Sequence, residues 1–381
     1  MMKGAERLHT VDEYYFSRKM REVNLMIANG MPVINLGIGS PDLQPPQRVI
    51  NALISSLDHE TAHKYQSYQG IPELREAMAS FYRENYQVSL SPKNEILPLM
   101  GSKEGIMHIS MAYLNPGDQV LVPNPGYLTY AAVANLIGAE PLYYDLKLEG
   151  KWLPDIMALQ KMDLSRVKLM WISYPHMPTG AQAEYKFFND LVSFAKVNDI
   201  LLVNDNPYSF ILTDSPRSIL KVNRSKGICL ELNSLSKTFN MAGWRVGMVV
   251  GQEDHIANIL KVKSNMDSGM FYGLQKGAIE ALNCSKLWYT SLNSVYEKRR
   301  ELVWDFAERL SLSFDKNTSG LFVWAKLPDY FKSEEFVDIM LKNHHIFMAP
   351  GSIFGSNGEG YIRLSLCAPE EQIEEAIARI K

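Results

Sequence analysis

The chain has 381 residues, which is too long for one small hydrophobic core and favours two domains. Its hydrophobic fraction of 46% and charged fraction of 21% are ordinary for a globular protein. The formal net charge of -3 gives no reason to expect nucleic acid or an anionic membrane surface as a partner, and no apolar run approaches the length of a membrane span.

The predicted elements of the first two thirds alternate between helices and strands. In chain order they are a helix over 71–85, a helix over 102–114, strands over 119–122 and 168–174, a helix over 184–197, and strands over 200–203, 228–232 and 246–250, with a loop between the last two. This alternation predicts an α/β fold with a mostly parallel sheet covered by helices on both faces. Ligands bind such sheets beyond the carboxyl ends of the strands.

The pattern changes after about residue 270. Here the sequence predicts long helical stretches over 274–306, a strand over 321–326, a helix over 333–342, a strand over 361–366 and a last helix from 369. We therefore expect a large domain over 46–270. A smaller α+β domain is expected to combine the N-terminal arm, 1–45, with 271–381.

Cysteine usage and the N-terminal segment indicate the compartment. Cys229, Cys284 and Cys367 are isolated and odd in number, which predicts neither a disulfide framework nor a metal site. The first ten residues lack the apolar region of a secretory signal. The sequence therefore predicts a cytoplasmic protein.

One lysine lies in a segment suited to covalent chemistry, Ser234-Leu-Ser-Lys-Thr-Phe-Asn-Met-Ala-Gly-Trp-Arg-Val-Gly247. The amine of Lys237 can condense with an aldehyde, and the hydroxyls of Ser234 and Ser236 with the guanidinium of Arg245 can hold a phosphate. An aldehyde and a phosphate on one ligand describe pyridoxal 5′-phosphate (PLP). An exposed lysine in a polar loop fits this segment equally well.

Further motifs connect the whole chain to a known family. They are Asn35-Leu-Gly-Ile-Gly-Ser-Pro-Asp42, Tyr65 five residues before Gly70-Ile-Pro-Glu-Leu-Arg75, and Gly101-Ser-Lys-Glu-Gly105. Together with the lysine segment, their order and spacing resemble the class I/II aminotransferases of the aspartate aminotransferase superfamily. The third motif resembles the branch that holds LL-diaminopimelate and certain alanine aminotransferases.

The resemblance implies a fold type I PLP-dependent transferase, whose large domain has a mostly parallel seven-stranded sheet between helices, and a ping-pong transfer of an amino group. It implies that Lys237 binds the cofactor, that Asp205 pairs with the ring nitrogen, that Tyr208 donates to the ring oxygen O3′ and that Tyr127 stacks on the ring. The implied phosphate ligands are Ser102, Lys103, Ser234, Ser236 and Arg245, with Tyr65 from a neighbouring subunit.

The resemblance also implies that Arg363 and Gly39 bind the substrate α-carboxylate, and that the active form is a homodimer. Tyr65 and the segment 265–270 match parts of the family that cross the subunit boundary. Taken singly, most of these residues also fit purely structural roles. Ser102 and Asp205 could cap a helix or a segment, and Tyr127 and Tyr208 could be packing residues. Arg363 is different, because an arginine on an apolar strand is costly unless it is paired.

Met177 departs from the family pattern. The family has Asn in the motif that reads Met177-Pro-Thr-Gly180 here, and a thioether cannot donate the hydrogen bond that this Asn gives to O3′. A catalytically idle PLP-binding module is therefore an open alternative to the aminotransferase. A PLP-dependent C–S lyase is open as well, because it shares the lysine, the aspartate and the phosphate-binding residues.

The substrate is also open among alanine, aromatic and diaminopimelate types. The segment 261–276 contains no Arg to hold a distal carboxylate from the partner subunit, which disfavours aspartate. The run Tyr14-Tyr-Phe16 fits either an aromatic pocket wall or core packing.

Overall fold

The computed structural model describes residues 2–11, 13–213, 215–223 and 225–380. Its strands are β1 (Ile34–Asn35), β2 (Ile96–Leu99), β3 (Gln119–Asn124), β4 (Glu140–Asp145), β5 (Val167–Ile172), β6 (Leu201–Asp205), β7 (Cys229–Ser234), β8 (Gly247–Gly251), β9 (Ser313–Phe314), β10 (Phe322–Lys326), β11 (Ile346–Phe347), β12 (Ala349–Pro350) and β13 (Tyr361–Ser365). Its α-helices are α1 (Tyr15–Ala28), α2 (Gln47–Ser56), α3 (Pro72–Tyr86), α4 (Ser102–Tyr113), α5 (Thr129–Leu136), α6 (Ile156–Leu159), α7 (Tyr185–Val197), α8 (Leu235–Thr238), α9 (Glu253–Lys263), α10 (Tyr272–Leu282), α11 (Lys286–Arg309), α12 (Ser333–His344) and α13 (Glu370–Arg379).

The larger sheet has seven strands in the order β2-β8-β7-β6-β5-β3-β4. β8 is antiparallel to both of its neighbours, and every other pair among β3 to β7 is parallel. This confirms the predicted mostly parallel sheet. The parallel strands β3, β5, β6 and β7 therefore end at the same edge, where the sequence placed the ligand site.

Burial on both faces explains why these strands are almost continuously apolar. On β5, Leu169 and Trp171 pack in one cluster with α4 and α5, whereas Met170 and Ile172 pack in another cluster with α7. Successive side chains of a strand point to opposite faces, so a sheet covered on both sides needs apolar residues at both parities. Helix layers on each face thus exclude water from the sheet.

The smaller sheet is antiparallel, in the order β12-β13-β10-β9. It places Arg363 of β13 between Trp324 of β10 and Ala349 of β12. A short parallel pair, β1 with β11, ties the segment before Leu36 to the C-terminal part of the chain. The domain boundaries at 46 and 270 stay a prediction.

Most predicted elements occur within a few residues of their expected bounds, but the lysine segment does not stay a loop. Between β7 and β8 it forms the short helix α8, which Ser234 caps by accepting a hydrogen bond from the N–H of Ser236 at 3.2 Å. Among the described residues, no helix combines the length and apolar character that a bilayer crossing requires.

Candidate active site

A cavity of about 330 Å³ opens at the carboxyl ends of the parallel strands. It brings together almost all the residues singled out from the sequence: Gly39, Ser102, Lys103, Tyr127, Met177, Asp205, Tyr208, Ser234, Ser236, Lys237, Arg245 and Arg363. Tyr65 lies outside it, with 92% of its surface exposed. A larger cavity of about 970 Å³, lined by Trp152 and Phe314, holds none of these residues.

One end of the cavity is built to take an anion. The α4 helix begins at Ser102, so its first N–H groups are free to bind a ligand. The hydroxyls of Ser234 and Ser236 lie 2.9 Å apart at the start of α8. Arg245 donates to the carbonyl of Ala242 at 2.9 Å. Hydroxyls, a helix start and a guanidinium are the groups that bind phosphate.

Two exposed cations, Lys103 and Arg245, lie at this end. Burial, and after it the charge of Arg245, lower the pKa of Lys103. Within the described part of the chain, neither cation has a carboxylate close enough for an ion pair. Gly101 permits the approach of Arg245 to the start of α4, because it has φ 87° and a Cβ at this position would lie 2.1 Å from an Nη atom of Arg245. The cradle therefore fits a phosphate.

Asp205 offers one unpartnered oxygen to the cavity. It is the last residue of β6, and its Oδ2 accepts a hydrogen bond from the hydroxyl of Tyr130 at 2.9 Å. Among the described residues, none donates to the buried Oδ1. Burial raises the pKa of Asp205 to about 6, although the bond from Tyr130 opposes this shift. A cationic N–H donor at Oδ1 would restore the ionised form, as the protonated ring nitrogen of PLP would do.

Lys237 is held so that its amine is a nucleophile near neutral pH. Burial, opposed by Cys367 and aided by the charges of Arg363 and Arg245, lowers the pKa of Lys237 to about 8. The ammonium form donates to the carbonyl of Gly39. A desolvated lysine with a depressed pKa is suited to forming a Schiff base. The interpretation as an exposed surface lysine is therefore wrong.

Arg363 also lines the cavity, where it is buried and has no carboxylate partner among the residues that the structure describes. One Nη donates to the carbonyl of Gly37 at 2.7 Å, and the other lies 3.4 Å from the sulfur of Met177. The guanidinium carbon lies 3.9 Å from the ring centroid of Phe322 and 4.8 Å from that of Phe354. Burial lowers the pKa of Arg363 to about 10, so the group stays cationic at neutral pH. A buried cation among aromatic rings fits a ligand carboxylate.

Gly39 and two tyrosines complete the predicted set. A Cβ at Gly39 would lie 2.2 Å from the Phe322 ring, so any side chain there would have to displace that ring. Tyr127 meets the ring of Tyr130 edge to face, with centroids 5.5 Å apart. Tyr208 is packed edge to face against Phe322 at 5.9 Å. Aromatic walls thus hold the space between Asp205 and Gly39.

Several cavity residues were missed from the sequence. Tyr130 is in the first turn of α5, a helix that was not predicted, so its contact with Asp205 had no signal. Phe322 is the second residue of the predicted strand 321–326 and belongs to no motif that would indicate a site. Tyr14 and Phe16 were not missed, since a pocket wall was one of the two alternatives left open for the run Tyr14-Tyr-Phe16. Both line the cavity, and the ammonium of Lys103 lies 4.8 Å from the Tyr14 ring centroid.

One cluster of possible metal ligands lies outside the cavity. Within the described ranges, Glu104, His108 and Asp267 bring ligand atoms within 4.8 Å of one another. The ammonium of Lys263 already contacts both oxygens of Asp267, at 2.7 and 2.6 Å. A cation therefore already occupies this carboxylate.

Comparison with known proteins extends over the whole chain. A family model described as aminotransferase class I and II matches residues 31–380. The LL-diaminopimelate aminotransferase of Aquifex aeolicus is 38% identical over 100% of this chain and 99% of its own length, and that of Halothermothrix orenii is 39% identical over 100% and 98%. The substrate-bound structure of BacF from Bacillus subtilis is 35% identical, with a TM-score of 0.95 over 100% of this chain and 97% of its own.

Proposed function

The chain belongs to the class I and II aminotransferase family, and from this premise we propose its residue roles, its preferred substrate type and its assembly. It is a PLP-dependent transaminase that moves an amino group between an amino acid and a 2-oxo acid. The observation that carries the proposed site is one cavity that holds a part-buried Lys237, a cationic phosphate cradle and an Arg363 that has no carboxylate partner among the described residues.

We propose that the cradle of Ser102, Lys103, Ser234, Ser236 and Arg245 holds the cofactor phosphate. The free Oδ1 of Asp205 accepts from the ring nitrogen, Tyr208 donates to O3′, and Tyr127 packs against the ring. When bound, PLP supplies an aldehyde for the amine of Lys237 and a cationic ring that withdraws electrons from the substrate Cα. Side chains of the protein carry out the remaining steps, which are substrate binding and proton transfer.

Arg363 orients the substrate, in this proposal, by a bidentate hold on its α-carboxylate, with the backbone at Gly39 closing the same end. Its place in the same cavity holds the substrate Cα near Lys237. The released amine of Lys237 would then take the proton from Cα as general base and, as general acid, deliver it to the C4′ carbon of the cofactor. A second, 2-oxo acid substrate regains the amino group in the reverse half-reaction, which gives ping-pong kinetics.

We propose LL-diaminopimelate or a closely similar amino acid as the donor. The support is full-length similarity to relatives of that name and the turn Gly101-Ser-Lys-Glu-Gly105. A second candidate, an aromatic amino acid, is favoured by the cavity walls of Tyr14, Phe16, Tyr127 and Phe322. A panel of diaminopimelate, aromatic amino acids, alanine and aspartate, assayed with 2-oxoglutarate and pyruvate, decides between them. An exclusive preference for aspartate would contradict both.

A single-turnover experiment tests the reaction class. With one amino acid and no acceptor, a transaminase releases one equivalent of 2-oxo acid and retains the amino group. A C–S lyase continues to release pyruvate and ammonia, and an idle module releases neither. Lys237→Ala should remove both the absorbance of the Schiff base and turnover. Retained turnover in this variant would exclude Lys237 from its role.

We also propose a homodimer in which Tyr65 reaches the phosphate cradle of the neighbouring subunit. The exposed Tyr65 lies beside Gln66, whose carbonyl would be 2.5 Å from a Cβ at Gly269. The two segments predicted to cross the boundary are therefore in contact on one surface, where Met266 is 59% exposed. A cytoplasmic location, supported by three free cysteines, and the absence of a nucleic-acid partner complete the proposal.

A further inference from the structure

A carboxylate without a cationic partner is buried inside β7, three residues before Ser234. Glu231 has 0% of its surface exposed. Its Oε1 accepts a hydrogen bond from the hydroxyl of Tyr82 at 3.0 Å, and its Oε2 accepts from Asn204 Nδ2 at 3.0 Å and from the N–H of Ile219 at 3.1 Å. Only neutral donors thus hold this acid among the described residues.

An acid at this position is costly to the fold. Burying a carboxylate away from water destabilises the folded chain unless hydrogen bonds offset the lost hydration. Burial raises the pKa of Glu231, and the donors from Asn204, Ser218, Ile219 and Tyr82 oppose that shift. Several donors committed to one buried acid indicate that it holds those donors in place.

The donors of Glu231 lead directly to the cavity. Asn204 is the residue before Asp205 on β6, and its Oδ1 also accepts from the N–H of Tyr174 at 3.1 Å. Its side chain therefore ties the end of β6 to β7 on one side and to the segment after β5 on the other. A rotation of the backbone at Asp205, the last residue of β6, would move Asn204 and break these hydrogen bonds.

A second branch passes through α3. Asn233 Nδ2 donates to the hydroxyl of Tyr86 at 3.1 Å and lies 3.5 Å from the hydroxyl of Tyr82, while its Oδ1 accepts from the N–H of Ser234 at 2.8 Å. The hydroxyl of Tyr86 also pairs with that of Ser209, which follows Tyr208. The immediate neighbours of Asp205, Tyr208 and Ser234 therefore share one buried network.

We propose that Glu231 is a positioning residue for the cofactor, because it fixes Asp205 through Asn204 and Ser234 through the link from Tyr82 to Asn233. It touches neither cofactor nor substrate and acts only through these neighbours. The inference rests on the proposed cofactor roles of Asp205 and Ser234. α3 does not line the cavity, but in this proposal it supports the positions of Asp205 and Ser234.

Glu231→Leu tests the proposal with a side chain of similar size. Leucine offers no acceptor, so the hydrogen bonds from Tyr82, Asn204 and Ile219 to this residue are all lost. We expect PLP to bind the apoprotein about tenfold more weakly. Nitrogen NMR of isotope-labelled cofactor should show a shifted ring-nitrogen resonance, because the contact with Asp205 is altered. Turnover should fall, whereas the KM for the amino donor should stay within about twofold, since Arg363 lies outside the network.

Tyr82→Phe is a second, milder variant that removes one hydroxyl from the same network. The matched control is Tyr144→Phe, since Tyr144 is also buried and its hydroxyl donates to the backbone carbonyl of Trp171 at 2.8 Å. All three variants leave a buried hydrogen-bonding group without its partner and should lose thermal stability. Only Glu231→Leu and Tyr82→Phe should weaken cofactor binding, and only Glu231→Leu should shift the ring-nitrogen resonance, because Tyr82→Phe leaves the bond from Asn204 to Glu231 in place.

Unchanged cofactor affinity in both network variants and an unchanged resonance in Glu231→Leu would overturn the inference, and so would equal effects in Tyr144→Phe. Asp205→Asn separates this failure from failure of the proposed site. If Asp205→Asn leaves affinity and resonance unchanged, the proposed role of Asp205 is wrong. If it changes both while the Glu231 and Tyr82 variants do not, only the role of Glu231 is wrong.

Discussion

At the scale of single residues, the buried carboxylate of Asp205 lowers the stability of the apoprotein and, in the proposed site, binds the cofactor. Burial raises its pKa to about 6, whereas an unfolded chain has about 3.9 for aspartate. A raised carboxylate pKa stabilises the fold only at low pH, and this contribution is lost as the pH rises through about 6. Without cofactor, the ionised Asp205 therefore lowers the free energy of unfolding at neutral pH.

We therefore expect Asp205→Asn to stabilise the apoprotein, by up to about 3 kcal/mol above about pH 7 and by little near pH 4. The amide can still accept the bond from Tyr130, so the fold keeps this contact. Urea unfolding of both apoproteins across this pH range measures the difference. The same variant should retain PLP poorly. A stability gain that does not depend on pH would show that Asp205 is not the titrating group.

Met177 gives a second prediction at this scale. Its sulfur lies 3.4 Å from an Nη of Arg363 and can only accept weakly, whereas Asn would offer both an acceptor to Arg363 and a donor to the cavity. A new donor at O3′ would stabilise the deprotonated form of the bound cofactor. In Met177→Asn, the pH midpoint of the cofactor's visible absorbance change should fall by up to about one unit. Met177→Leu is the control, and overlapping curves for all three proteins would mean that O3′ is already satisfied.

At the scale of elements, the start of α4 depends on the shape of the residue before it. Gly101→Ala would place a Cβ 2.1 Å from Arg245 and would strain a backbone with φ 87°. We expect the phosphate cradle to open and the dissociation constant of PLP to rise by about tenfold or more. Gly117→Ala is the matched control, because Gly117 has φ 88° and open space around its Cβ position. Fluorescence titration of the apoproteins should separate the two variants; equal losses would mean that backbone strain alone matters.

The elements also show what the sequence could predict and what it could not. α3 and α4 were predicted almost to the residue, because Pro72 and Gly101 punctuate their starts. α5, with the sequence Thr-Tyr-Ala-Ala-Val-Ala-Asn-Leu, has almost no polar face, and β4 carries Pro141, which is unfavourable in a strand. Neither was predicted, and α1, α2, α9 and β2 were missed as well.

Some residues of the candidate site could likewise be predicted from the sequence, and others could not. Residues in motifs, such as Lys237 and Asp205, were found because their spacing along the chain reflects a common ligand. Tyr130 and Glu231 were not found, because their partners are distant in sequence and meet only through sheet register and helix packing. Arg363 was identifiable in part from physics alone, since a strand arginine demands an anion.

At the scale of the whole molecule, the cavity is assembled from separate sheets. The seven-stranded sheet and α8 contribute Asp205 and Lys237, the antiparallel sheet contributes Arg363, and the segment after β1 contributes Gly39. The groups that we assign to cofactor and to substrate carboxylate therefore belong to different sheets. The hydrogen bond from Arg363 to the carbonyl of Gly37 joins the antiparallel sheet to the segment after β1.

The neighbouring subunit is the remaining part of the proposed assembly. If Tyr65 acts across the dimer, Lys237→Ala and Tyr65→Ala homodimers should each be nearly inactive. Mixing them under conditions of subunit exchange should restore activity, because each hybrid contains one site with both native residues. Random reassortment makes half of the dimers hybrids, so the recovered activity should approach about a quarter of the wild-type value. If Tyr65 served its own subunit instead, every hybrid site would lack one residue, and mixing would restore nothing. Light scattering of the mixture controls for assembly, and an active monomer would contradict the dimer itself.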